Sequence, residues 1–222
     1  MSTALKRVRE YLGRYLRPAD SLLEVLGGVI VGLATVNTLV VAGNREGVDQ
    51  LLEASFTVAI AWGLVDAGLG IFGTIYHRKS QERTICSVQE SDEAGGLAII
   101  AGALDDELLE LADPETRDAF YQHLAAQARQ ARPHYPPLTR SDLIAAALTL
   151  ALMFSATLPL SLPLYFLDDP SVAVFAMNVM GFVFLFLIGW LWAEHTTMSR
   201  VKLGLALGSV ALALTAVANM FD

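Results

Sequence analysis

Two carboxylates stand where a carboxylate is expensive. Asp66 lies in the run SFTVAIAWGLVDAGLGIFGTIY (residues 55–76), which is otherwise apolar or small and long enough to cross a bilayer. An Asp at the centre of a membrane helix costs ~2.5–3.5 kcal/mol on insertion scales. It therefore needs a proton, a cation or a hydrogen-bond donor, and no Lys or Arg stands in the core of any apolar run to neutralise it. At helical spacing Asp66 shares a face with Ala59, Gly63, Gly70 and Gly73, and small residues on one stripe let helices approach closely in lipid. Glu24 repeats the pattern with Gly28, Gly32 and Thr35. The expected chemistry is alternate binding of a cation and a proton, with Asp66 near the midplane and Glu24 at a mouth of the pathway. Two plainer outcomes stay open. A neutral Asp66 hydrogen-bonds to Asn37, Asn178 or a backbone carbonyl, or Glu24 snorkels towards Arg17 or lipid headgroups.

Other residue types fit the same chemistry. Pro159 and Pro163, in PLSLP after Ser155 and Thr157, free carbonyls of the preceding turn; broken helices of this kind line ion sites, or simply kink. Asn178 is a polar residue in a later apolar run, flanked by the soft thioethers of Met177 and Met180. Asp105, Asp106, Glu107 and Glu110 form an acidic cluster, in which Glu107 and Glu110 share a helix face as an oxygen-ligand metal site requires, or as any solvated face does. His77 and His195, beside Glu194, close two apolar runs; they make a cation mouth or complement helix C-termini. Phosphate-cradling loops, HExxH, CxxC and nucleophile elbows are all missing from the chain, so enzymatic catalysis is not expected. Cys86 is the single cysteine, which rules out an internal disulfide. Nucleic-acid binding has no support.

The elements that position these residues follow from composition. Of 222 residues 54% are hydrophobic and 17% charged, where a soluble domain carries about 25% charge; the mean hydropathy is +0.49. The pattern predicts an all-α integral membrane bundle of five helices, at residues 21–43, 54–76, 142–166, 171–193 and 201–220. Residues 1–20 form a basic arm without the apolar core and cleavage site of a signal peptide. Its Leu5, Val8, Leu12, Tyr15 and Leu16 make one face flanked by Lys6, Arg7, Arg9, Arg14 and Arg17, suited to an anionic membrane surface or to solvent. All Lys and Arg except Arg45 fall on one side of the predicted bundle, so the N-terminus and the acidic segment 77–141 are expected in the cytoplasm. Within that segment the spacing predicts helices over 97–112 and from Pro114, capped by Asp113, towards Ala131. Phe120, Tyr121 and Leu124 are expected to pack on Leu104, Leu108 and Leu111. A preference for Arg over Lys and abundant Ala point to a bacterium of high GC content, hence to its plasma membrane.

The order of these features resembles the vacuolar iron transporter family, and more closely a divergent bacterial branch of it. The likeness runs from about residue 18 to 220. It is carried by LEVLGGVIVGLATVNTL (23–39), AWGLVDA (61–67), FSATLPLSLPL (154–164) and Asp168–Ser171 leading to Asn178. The resemblance implies a five-helix membrane fold, usually a homodimer, that moves ferrous or another divalent metal out of the cytoplasm against protons. The metal would be substrate, with no permanent cofactor, and the polar segment would collect it. Three features depart from the family. Its Asp-Gly pair in the first span is absent from VGLAT (31–35), Gly73, Thr74 and Tyr76 stand where it has Met and Glu, and its Met- and Glu-rich cytoplasmic ligand pattern is not reproduced.

Two functions compete on these residues. The first is a proton-coupled divalent cation transporter with Asp66, Glu24, Asn178, Pro159 and Pro163 along its pathway. Its metal ligands would come from Asp66 and Glu24, with Asp106, Glu107 and Glu110 concentrating metal. The second is a non-transporting membrane scaffold or sensor whose cytoplasmic helices bind a partner.

Overall fold

A computed structural model describes residues 10–41, 48–108 and 113–220, with the side chains at 41, 105–108, 218 and 219 left aside. Among these residues every regular element is helical: α1 (Pro18–Val41), α2 (Val48–Glu90), α3 (Glu93–Leu108), α4 (Pro114–Gln130), α5 (Arg140–Leu160), α6 (Leu162–Phe166), α7 (Pro170–Trp192), a 3-10 turn (Ala193–His195) and α8 (Arg200–Met220). Five of the described helices, α1, α2, α5, α7 and α8, are long and apolar enough to cross a membrane. The chain divides into two compact units, residues 1–70 with 140–222, and residues 71–139.

In the first unit α1 packs on α5, α7 and α8, and α7 with α8 forms the broadest helix pair. Lipid tails are as apolar as Leu, so close backbone approach, rather than escape from water, drives such packing. Gly189 provides it between α7 and α8: a Cβ there would stand 2.5 Å from the carbonyl oxygen of Leu203. Gly28 does the same for α1, where a Cβ would collide with the backbone carbonyl of Met153 on α5. Val29, Leu33 and Val36 of α1, Leu160, Leu164, Met177 and Leu185 fill the core between these helices. Helix α2 adds one buried ridge at every fourth residue, Leu51, Ser55, Ala59, Gly63 and Ala67. Its outward face shows Trp62, Leu64, Val65 and Leu69, as a lipid-facing helix does.

The third predicted span is interrupted. Proline has no N–H to donate, so Pro159 ends α5 within a turn. Ser161 follows at the break (φ −83°, ψ −3°), and Pro163 sits in the first turn of α6. Asp169 then caps α7, accepting from the amides of Ser171 at 2.8 Å and Val172 at 3.3 Å.

The second unit is built on Val88, Ile100, Tyr121 and Ala125, with Leu97, Leu104 and Leu124 against them. Phe120, expected in that core, is instead 44% exposed: adjacent helical positions point about 100° apart, and Tyr121 takes the inward one. Leu111 lies outside the described residues, as does the side chain of Leu108. The helix predicted to end at 76 runs on to Glu90, and α3 begins at Glu93. Arg129 ties the corner between them, donating to the carbonyls of Ser91 at 3.0 Å and Asp92 at 2.7 Å. The amide of Gln89 donates to the carbonyls of Ala128 and Ala131 at the end of α4.

Asp113 caps α4 as the sequence predicts, accepting from the backbone N–H of Thr116 at 3.0 Å and from its hydroxyl at 2.8 Å. Those two donors hold its carboxyl below the usual aspartate value of 3.8. A depressed value means that the cap is complete above the unfolded value and is lost as pH falls through the folded one. Thr116 amide exchange should therefore quicken below about pH 4 in the wild type and at all pH values in Asp113→Ala, while Asp113→Asn keeps protection without the pH dependence. For the bundle, Gly28→Ala should lower the unfolding free energy in detergent by about 1–3 kcal/mol. Gly73→Ala, with nothing within 4 Å of its Cβ position, should leave it unchanged or raise it; thermal unfolding of both variants checks this.

Candidate functional site

Helices α1, α2 and α5 meet along one seam. Helix α1 runs parallel to α5: Glu24 meets Thr149, Gly28 meets Thr157 and Gly32 meets Leu160. Helix α2 runs antiparallel to both. Its Gly63 lies on Leu150, Phe56 on Phe154 and Ser55 on Ser161. Each helix offers a ridge of every fourth residue, so the seam is a stack of tiers.

The two carboxylates share the first tier. The half-buried Thr149 donates a long hydrogen bond, 3.5 Å, from Oγ1 to Oε1 of Glu24, and Asp66 lies within Coulombic reach of Glu24. Asp66 is partly buried at the edge of the α2 ridge. Its small neighbours divide: Ala59 and Gly63 face inward, whereas Gly70 and Gly73 are exposed. The structure sets Asp66 level with Glu24, in the second turn of α1, not with the middle of the bundle. The reason is that α2 begins at Val48, ahead of the predicted span, which places Asp66 further along its helix. Arg17 does not reach Glu24; its Nε holds Asp20 Oδ2 at 2.9 Å.

The opposite tier is made of hydroxyls. Thr157 Oγ1 donates to the carbonyl of Met153 at 3.2 Å or to that of Gly28 at 3.3 Å. Ser55 and Ser161, 0% and 1% exposed, face each other with Oγ atoms 3.3 Å apart. Pro159 and Pro163 flank this tier, twelve residues or ~18 Å along α5 from the carboxylates, where they shape the break that presents Ser161.

Asn178 is elsewhere. Its amide and that of Asn37 donate to each other, at 2.9 and 3.0 Å, joining α7 to α1. Neither amide bonds Asp66: Asn37 stands thirteen residues, ~20 Å, along α1 from the level of Glu24. Met177 is buried in the apolar core and Met180 packs on it. His77 bonds Gln81 at 3.0 Å. His195 lines a cleft of about 390 Å³ with Leu12, Leu16, Leu22 and Glu194, and Glu194 faces Arg200 at 3.6 Å. Of the proposed metal cluster, Glu110 lies outside the described residues, as do the side chains of Asp106 and Glu107. The same holds for Leu5, Lys6, Arg7, Val8 and Arg9 of the arm. Among the described residues no three His, Cys, Asp or Glu side chains converge as a metal site.

Sequence reasoning passed over Thr149, Ser55 and Ser161. The signal was the spacing of Thr149, Thr157 and Ser161 in multiples of four, hidden in an apolar run. Ser155, which was noticed, points outward and bonds Leu152 O at 2.9 Å.

No family model matches this chain, and no curated protein matches it in sequence.

The asparagine pair supports a quantitative expectation. Asn37→Leu or Asn178→Leu alone orphans one amide, and the double variant removes the mismatch. A double-mutant cycle of unfolding in detergent should give a coupling of about 0.6–1.7 kcal/mol, the range of such bonds in membrane bundles.

Proposed function

We propose that this chain is a multi-pass transporter that exchanges a divalent metal cation, ferrous iron or a close relative, for protons, and exports the metal from the cytoplasm. The observation that carries the reading is that Glu24, bonded by Thr149, and Asp66, one turn from the Gly63–Leu150 contact, stand at one level of the α1–α2–α5 packing. Two partly buried carboxylates at one level of a membrane bundle favour positive charge near them. Two protons supply it, and so does one divalent cation. Exchange of one for the other leaves the site's net charge unchanged, which couples the fluxes without a separate device. Four carboxylate oxygens and one hydroxyl suit a hard or borderline cation that keeps some of its water. Such a sparse set favours passage over retention.

Direction comes from the sorting of charge. With nearly all Lys and Arg on one side, the positive-inside rule sets the N-terminus and residues 77–141 in the cytoplasm, and the carboxylate tier then lies nearer that side. The resemblance to iron transporters and the implied homodimer agree with this reading. A second reading, a scaffold or sensor, draws on the separate compact unit at residues 71–139 with its own core.

Proteoliposomes decide between them. Uptake of Fe²⁺ or Mn²⁺ driven by an imposed pH gradient is expected in the wild type and should fall at least ~100-fold in Asp66→Asn and in Glu24→Gln, since each leaves the site one charge short. Wild-type flux no greater than that of empty liposomes, from folded protein, would establish the scaffold instead.

A further inference from the structure

Between the carboxylate tier and the hydroxyl tier, the ridge that α5 turns to the seam carries one apolar side chain. The α5 ridge reads Thr149, Met153, Thr157, Ser161. Its three hydroxyls engage Glu24, Gly28 O and Ser55. Met153 alone is apolar, and it is 2% exposed. Its Cε lies 3.0 Å from where a Cβ on Gly27 would stand, so the thioether fills the space that Gly27 leaves open, while Gly28 receives the Met153 carbonyl and Ala156. On α2 the buried Ala59 falls midway between Gly63, which meets Leu150, and Ser55, which meets Ser161. That register brings it to the stretch of α5 between Met153 and Thr157. The carbonyl of Gly28 is the polar group α1 presents there, and Thr157 already engages it.

We propose that the α1–α2–α5 seam is the conducting path and that Met153, its thioether against Gly27, is the hydrophobic constriction that closes it. The inference rests on the transport reading above and names the barrier which that reading lacks. A dry apolar ring stops water and ions without any charge. Methionine suits the part because an unbranched side chain with three rotatable bonds swings between rotamers while its helix stays in place. Beyond it, the paired hydroxyls of Ser55 and Ser161, either of which can donate, receive whatever passes.

The test separates a barrier from a packing residue by seeking a gain. Met153→Ala removes the thioether that stands against Gly27 and with it the apolar barrier. Liposomes carrying this variant should dissipate an imposed pH gradient without metal roughly tenfold faster than wild type. Met153→Leu, which conserves volume but is branched, should hold the gradient and slow the coupled metal flux. For a readout that does not depend on tolerating a cavity, Met153→Cys in a Cys86→Ser background should react with a small charged thiol reagent during turnover and be protected at rest. A tight Met153→Ala together with an unreactive Met153→Cys, in protein whose wild type shows Asp66-dependent flux, overturns the constriction and spares the transporter. A wild type without such flux overturns both.

Discussion

Helix α1 lies with bare backbone at Gly28 against the carbonyl of Met153, and the polar contacts of the seam depend on that approach. With the two helices this near, the Thr157 hydroxyl reaches across to Gly28 O, and Thr149 reaches Glu24. A methyl group at residue 28 would push the axes apart and lengthen both bonds, the second of which is already long. In lipid the loss is not made good by solvent, because a separated hydroxyl or carbonyl finds no water to replace its partner. One missing side chain thus sets the geometry of a carboxylate a turn away.

The membrane unit solves its packing in two ways. Helices α1, α7 and α8 interlock through Gly181, Gly189, Gly204 and Gly208, whose absent side chains receive Leu33, Phe186, Phe182 or the facing backbone. Helix α2 is held differently, by one ridge of small residues with a serine pair and an aromatic contact between Phe56 and Phe154. Its remaining large residues face outward. An apolar solvent makes so thin an attachment viable, since Trp62 and Leu69 lose nothing by staying exposed to acyl chains. The second unit packs on Val88, Ile100 and Tyr121 and ties its helix ends with Asp113 and Arg129.

Much of this was legible in the residues. The apolar runs marked the five long helices, and the Asp113–Pro114 signature marked the start of α4, because both are local signals. The faces bearing Glu24 and Asp66 could be read from helical spacing, and the register of α1, α2 and α5 sets the two at one level. Other features depend on which helix lies beside which, and no single run shows that. Asn178 suited the pathway by polarity alone; its partner Asn37 is 141 residues away and turns it to another side of α1. Ser55 stood at the edge of a predicted span and Ser161 between two prolines, and only the antiparallel register of α2 and α5 makes them neighbours. The continuation of α2 to Glu90 was missed for a different reason: past Tyr76 the sequence becomes polar, and a hydropathy reading ends where polarity begins although the helical hydrogen bonds do not.

The reciprocal amide ring between Asn37 and Asn178 has a bearing on the distant carboxylate. Two antiparallel N–H···O bonds hold only at one rotational setting, so the ring acts as a spline that keys α1 to α7. Thirteen residues separate Asn37 from Glu24, about 220° of helical rotation, so the two side chains leave α1 on nearly opposite flanks. Keying one flank to α7 therefore aims the other at α5, and Glu24 is pointed by a bond ~20 Å away that it never touches.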